Sequence, residues 1–120
     1  MNTTDLKSIE GFEELLAAPE AGTIRTAYCS DLLSDVMGHA PADSVLVTVQ
    51  AHKNTVAVAN LAGVRALVLC NGRAFPEDAL EAARRAELAV FATADSQFIA
   101  SCRIYEALGR PLSDLAAASR

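Results

Sequence analysis

Residues 44–50, SVLVTVQ, decide the fold. Four of these seven residues are β-branched, and almost no polar residue interrupts them, which is the composition of a strand buried on both faces. Two further apolar runs follow, VRALVLC at 64–70 and LAVFAT at 88–93. Asn54 offers a cap for a helix running to about Leu61, with Val56, Ala57, Ala59 and Asn60 inside it and Gly63 at its end. Pro76, Glu77 and Asp78 suit the first turn of another helix, which runs to about Ala86. Strand and helix therefore alternate, and the expected fold class is α/β: a layered, mainly parallel sheet flanked by helices.

Outward from this centre the spacing predicts a first helix over residues 4–17, capped by Thr4, with Leu6, Ile9, Phe12, Leu15 and Leu16 at helical intervals. Gly11 weakens its middle, and Pro19 and Gly22 mark its exit. TIRTAYC, 23–29, reads as a short strand with Ile24, Thr26 and Tyr28 on one face. Ser30 and Asp31 offer caps for a short helix through about Gly38, with Leu32, Leu33, Val36 and Met37 as its apolar stripe. Asn71-Gly72-Arg73 reads as a turn. A last helix spans about Asp95 to Leu108, with Phe98, Ile99, Cys102, Tyr105 and Leu108 on one side. The expected organisation is an N-terminal helix and turn (1–22) packed as one unit on an α/β domain (23–110), followed by a mobile or partner-docked tail (111–120).

Composition narrows the function classes. One core without staples suffices at 120 residues, since such a domain buries roughly two thirds of its unfolded surface. A net charge of −5 disfavours a phosphate backbone, so nucleic acid is not an expected partner. Three scattered cysteines, Cys29, Cys70 and Cys102, contain no CxxC pair and suggest no metal site and a reducing compartment. No basic segment followed by an apolar stretch opens the chain, and no apolar run is long enough to span a bilayer. The expected location is cytoplasmic.

A parallel sheet gathers its ligand loops beyond the carboxyl ends of its strands. The candidates there are Ser30 and Asp31; Gln50, His52 and Asn54; Asn71, Gly72 and Arg73; Thr93 and Ser96. Helix N-termini and the Arg73 fork would suit a small phosphorylated or carboxylated ligand, and His52 would exchange a proton near neutrality. The same polar residues equally suit helix caps and turns. No HExxH, GxSxG or GxxxxGK[ST] is present, and no catalytic residue, metal or cofactor is assigned.

The segments SDLLSDVM at 30–37, VTVQ at 47–50, Asn54 with the helix after it, and LCNG at 69–72 together resemble the DRTGG domain family, small α/β domains similar to the N-terminal domain of HPr kinase/phosphorylase. Arg25 and Thr26 match the Arg and Thr of the family's naming motif, whereas Ile24, Ala27 and Tyr28 stand where its Asp and glycines would be. The resemblance covers about two thirds of the chain, from Tyr28 to Tyr105, and is nearest to stand-alone members, some encoded with iron-only hydrogenase systems. It implies a non-catalytic regulatory or protein-interaction domain, plausibly dimeric, since the kinase's ATP site belongs to a separate domain. Three functional readings stand at this point: a homo-oligomeric regulatory or scaffold domain with a protein partner, a sensor of a nucleotide or phosphorylated metabolite, and an enzyme with a minimal site drawn from His52, Asp31 and Arg73.

Overall fold

The computed structural model describes residues 1–118. Its centre is one five-stranded sheet in the order β1-β5-β4-β3-β2, built from β1 (Phe12–Leu16), β2 (Thr26–Cys29), β3 (Ser44–Thr48), β4 (Ala66–Leu69) and β5 (Ala89–Thr93). Strands β2 to β5 are parallel and β1 runs antiparallel to β5. Every residue of β3 and β4 is buried, which is why both read as unbroken apolar runs.

Helices α1 (Leu33–His39), α2 (Lys53–Ala62) and α3 (Glu77–Arg85) connect the parallel strands. Each connection steps to the adjacent strand in the same direction, so all three helices lie on one face, where α1 packs on α2 and α2 on α3. Val36, Val56, Ala59, Ala79 and Ala83 bury that layer against Leu46, Leu67, Leu69 and Val90. The other face carries α4 (Gln97–Leu108) and a 3-10 helix (Thr3–Ser8), with Leu6, Ala100 and Ile104 packed on Val45, Val47, Val68 and Phe91. A last helix, α5 (Leu112–Ala118), buries Leu115.

Several expectations need correction. Residues 4–17 are not one helix. The 3-10 segment ends at Ser8, Gly11 makes a left-handed turn at φ +85°, and Phe12–Leu16 then finds its hydrogen bonds on β5. Ile24 and Tyr28 do not share a face: Ile24 lies before the strand and joins the α4-side core, whereas Tyr28 packs on the opposite side. In α1 only Val36 is buried, and Leu32 and Met37 are exposed. Of the predicted apolar side of α4, Phe98, Ile99 and Tyr105 are turned outward, Cys102 is half-buried, and Leu108 packs against the core. The helix's fully buried contact is made by Ala100 and Ile104, because a small residue lets the helix approach the sheet closely. The tail is helical over 112–118 and held by Leu115, and the expectation for residues 119–120 lies outside the described residues. No helix among the described residues is long and apolar enough to cross a membrane.

Candidate functional site

The four parallel strands do bring the loops at 30–31, 50–54, 71–73 and 93–96 to one rim of the sheet. The strand order never reverses among them, however, so the rim lacks the crevice that forms at a topological switch point. The ten candidate residues fall into separate small groups.

Asp31 organises the first. Its Oδ1 accepts three hydrogen bonds: from the Thr48 hydroxyl at 2.9 Å, from Val49 N–H at 2.9 Å and from Gln97 Nε2 at 3.0 Å. It does not cap α1, whose N-cap is Leu32, and Ser30 Oγ accepts from Leu32 N–H instead. One carboxylate oxygen thus ties the end of β2 to β3 and to the first turn of α4. Gln97 also reaches Cys29 Sγ at 3.7 Å. Neither Gln97 nor Thr48 was a sequence candidate, and neither sits in a motif; only the tertiary fold unites residues 66 positions apart.

At the second loop, His52 and not Asn54 caps α2. Its Nδ1 accepts from Asn54 N–H at 3.0 Å, which occupies the ring nitrogen that a general base at that position would use. Gln50 donates its N–H to Thr48 Oγ1 and accepts from the Thr55 hydroxyl through its carbonyl.

Asn71 and Gly72 both take positive φ, 62° and 64°, and Arg73 N–H closes the turn on Cys70 O. Two consecutive left-handed residues make the turn type that favours Asn-Gly. The Asn71 and Gly72 amides donate to Asp95 O and Thr93 O, so they serve the chain's own β4–β5 junction. Thr93 Oγ1 accepts from Asp95 N–H, and Ser96 Oγ caps α4 through Ile99 N–H. Asp95 in turn holds Arg103 at 2.8 Å.

Arg73 is exposed and lines a cleft of about 570 Å³ with Gly72, Glu13, Phe75 and Thr93. Two of the groups therefore meet at a concavity, while Ser30, Asp31, Gln50, His52 and Asn54 do not line it.

The thiols are poorly suited to attack. Burial pushes Cys70 up to about 12, and burial also raises Cys29, so both favour the neutral form at pH 7. Among the described residues no group of three or more His, Cys, Asp or Glu side chains is placed to hold a metal ion.

A shifted pair links β2 to α1. Tyr28 donates its hydroxyl to Asp35 Oδ2 at 2.7 Å, and His39 approaches the same carboxylate at 3.2 Å. The Tyr28 hydrogen bond, with a further one from Ser30, holds Asp35 below the usual carboxylate range, and the same bond raises the Tyr28 phenol. The depressed Asp35 contributes stability above its unfolded pKa, and this is lost as pH falls through the folded value. The raised Tyr28 contributes below its unfolded pKa, and this is lost as pH rises through the folded value. Tyr28→Phe is expected to move the Asp35 carboxyl titration upward, as followed by NMR, and to flatten the alkaline arm of the stability profile.

Comparison of the chain with family models and with curated proteins finds no match.

Proposed function

We propose that the chain is a non-catalytic regulatory or protein-interaction domain, similar to the DRTGG domains, whose working surface is the outer face of α4 with α5. One observation carries the reading. Phe98 (73% exposed), Ile99 (41%) and Tyr105 (45%) are turned to solvent along α4, and Leu112 (68%) continues the apolar strip onto α5. Phe98, the half-buried Cys102 and Tyr105 follow at helical spacing, so they form one stripe, not scattered exposures. Contiguous exposed apolar surface of this kind marks an interaction site. The hydrogen bonds at the strand-end rim support the same reading, since Asp31, His52, Asn71, Gly72, Thr93 and Ser96 all serve the chain's own turns and caps. A role in hydrogenase or metabolic regulation follows from the family resemblance alone.

Affinity capture from the native host tests the proposal. Wild-type chain and a Leu61→Glu control on α2 are expected to retain the same partner, and Phe98→Glu and Leu112→Glu to lose it. Equal retention by all four, or none by the wild type, contradicts the reading.

A second reading is favoured by the cleft at Arg73, where a small phosphorylated metabolite or nucleotide would meet the guanidinium. Calorimetry against phosphorylated metabolites tests it. Binding weakened about tenfold or more by Arg73→Ala would favour the sensor.

A further inference from the structure

We infer that the outer surface of α4 docks a basic amphipathic helix of another protein, its apolar side on Phe98, Cys102 and Tyr105 and its lysines or arginines over Glu106 and Glu10. The inference rests on the interaction reading above and gives the chemistry of that partner.

The apolar stripe adjoins a groove of about 370 Å³ between the 3-10 helix and α4. Cys102 and Glu106 stand at i and i+4, so they are neighbours on the helix surface, and Glu106 is where the stripe gives way to the groove. Three carboxylates line the groove, Asp5, Glu10 and Glu106, against one guanidinium, Arg103. That guanidinium is already taken. Asp95 holds it at 2.8 Å, and Glu10 lies 3.5 Å from it. Asp95, by its hydrogen bond and its charge, and then Glu10 and Glu106 raise Arg103 above its ordinary value, as surplus negative charge requires. Lys7 and Arg110, the nearest other cations in the sequence, do not line the groove. The flank of the stripe is therefore acidic, on exposed Glu10 and Glu106.

Stripe and flank together select the partner. The outer face of a helix has its N–H and C=O groups bonded within itself, so an extended segment finds no backbone partners there. A second helix arrives with its own backbone satisfied. If amphipathic, it carries an apolar side next to a charged one at a fixed offset, which is the arrangement on α4 with the sign reversed. The apolar anchors hold such a complex, and the opposite charges at its rim steer the encounter and fix the orientation. An anionic membrane is disfavoured. Helices that lie on such a surface flank their apolar side with Lys and Arg, and here the flank is made of carboxylates.

Fluorescence anisotropy with two synthetic peptides tests this. Both are amphipathic helices of about 20 residues with the same apolar face; the polar face carries lysine in one and glutamate in the other. The full chain and Leu61→Glu are expected to bind the lysine peptide about tenfold or more tightly than the glutamate peptide, and to lose that preference as salt is raised. Glu10→Lys combined with Glu106→Lys, checked for an unchanged thermal midpoint, is expected to reverse the preference, and Phe98→Ser to weaken binding of the lysine peptide. The salt series reads the same charge without any substitution. Equal binding of the two peptides overturns the inference, as does a preference that neither salt nor the double reversal changes, or a preference for phosphatidylserine vesicles over the lysine peptide. If the peptides bind equally and Phe98→Ser releases both, the interaction reading survives with a partner of another charge. If neither binds, the basic helix is overturned, and the capture experiment decides the interaction reading separately.

Discussion

Phe91→Ala is expected to lower the unfolding free energy by about 3–5 kcal/mol, the usual range for removing a buried phenylalanine ring. Phe91 is fully buried in β5, with β1 on one side and β4 on the other, opposite Glu14 and Val68. Its ring belongs to the core that joins the sheet to Leu6, Ala100 and Ile104. The loss therefore falls on the antiparallel strand, the 3-10 helix and α4 together. A domain of ordinary stability holds only about 5–15 kcal/mol, so the variant sits near the threshold of folding. Denaturant titration checks this: the midpoint should fall with an unchanged slope, since the surface exposed on unfolding is nearly the same. Leu61→Ala, at an exposed position on α2, should change stability by less than about 0.5 kcal/mol.

Asp31→Ala is expected to cost about 2–4 kcal/mol. The cost comes from the partners left behind. The Thr48 side chain is buried and Val49 N–H is half-buried, and both lose the Oδ1 acceptor together with Gln97. Asp31→Asn keeps an oxygen at that position and gives up the charge, so its loss should be nearer 1 kcal/mol. Hydrogen exchange separates this from general destabilisation: Val49 N–H should lose protection in the alanine variant well beyond the change at Leu67, whose strand Asp31 does not touch. Equal stability of the alanine and asparagine variants would contradict the assignment of Oδ1 as the common acceptor.

The two variants also show where sequence is a sufficient guide and where it is not. Strands β3, β4 and β5 are legible because burial on both faces demands uninterrupted apolar residues, and that demand is local. The end of α2 is legible because Gly63 must take a left-handed conformation. Phe12–Leu16 is not. Its apolar spacing continues that of Leu6 and Ile9, and only pairing with residues 90–93 makes it a strand. For α4 the period is right and the face is wrong: Ala100 and Ile104, not the larger Phe98 and Tyr105, meet the sheet. Hydrophobicity alone cannot choose between two apolar sides of one helix. Burying the larger side is the local expectation, and its failure here is what leaves Phe98 and Tyr105 exposed.

The rim divides in the same way. That the four loops share one end of the sheet follows from parallel strands, and the alternating pattern predicts it. What each polar group does there depends on partners distant in sequence. Asp31 resembles a helix cap beside Leu32 and Leu33, yet its oxygen is taken by residues 48, 49 and 97. Asn54 looks like the better cap by residue type, yet His52 holds that position because α2 begins at Lys53, two residues before the start that an Asn54 cap would set.

The central claim is the proposal that this domain makes its outward contacts through α4 and α5, not through the strand-end rim. Amide chemical-shift mapping, during titration with the captured partner and during titration with phosphorylated metabolites, tests it most directly. The account predicts that the partner moves residues of α4 and α5, while residues 50–54 and 71–73 stay still in both series. Metabolite-induced shifts clustered at 71–73 and 93–96, with α4 and α5 silent throughout, would contradict it.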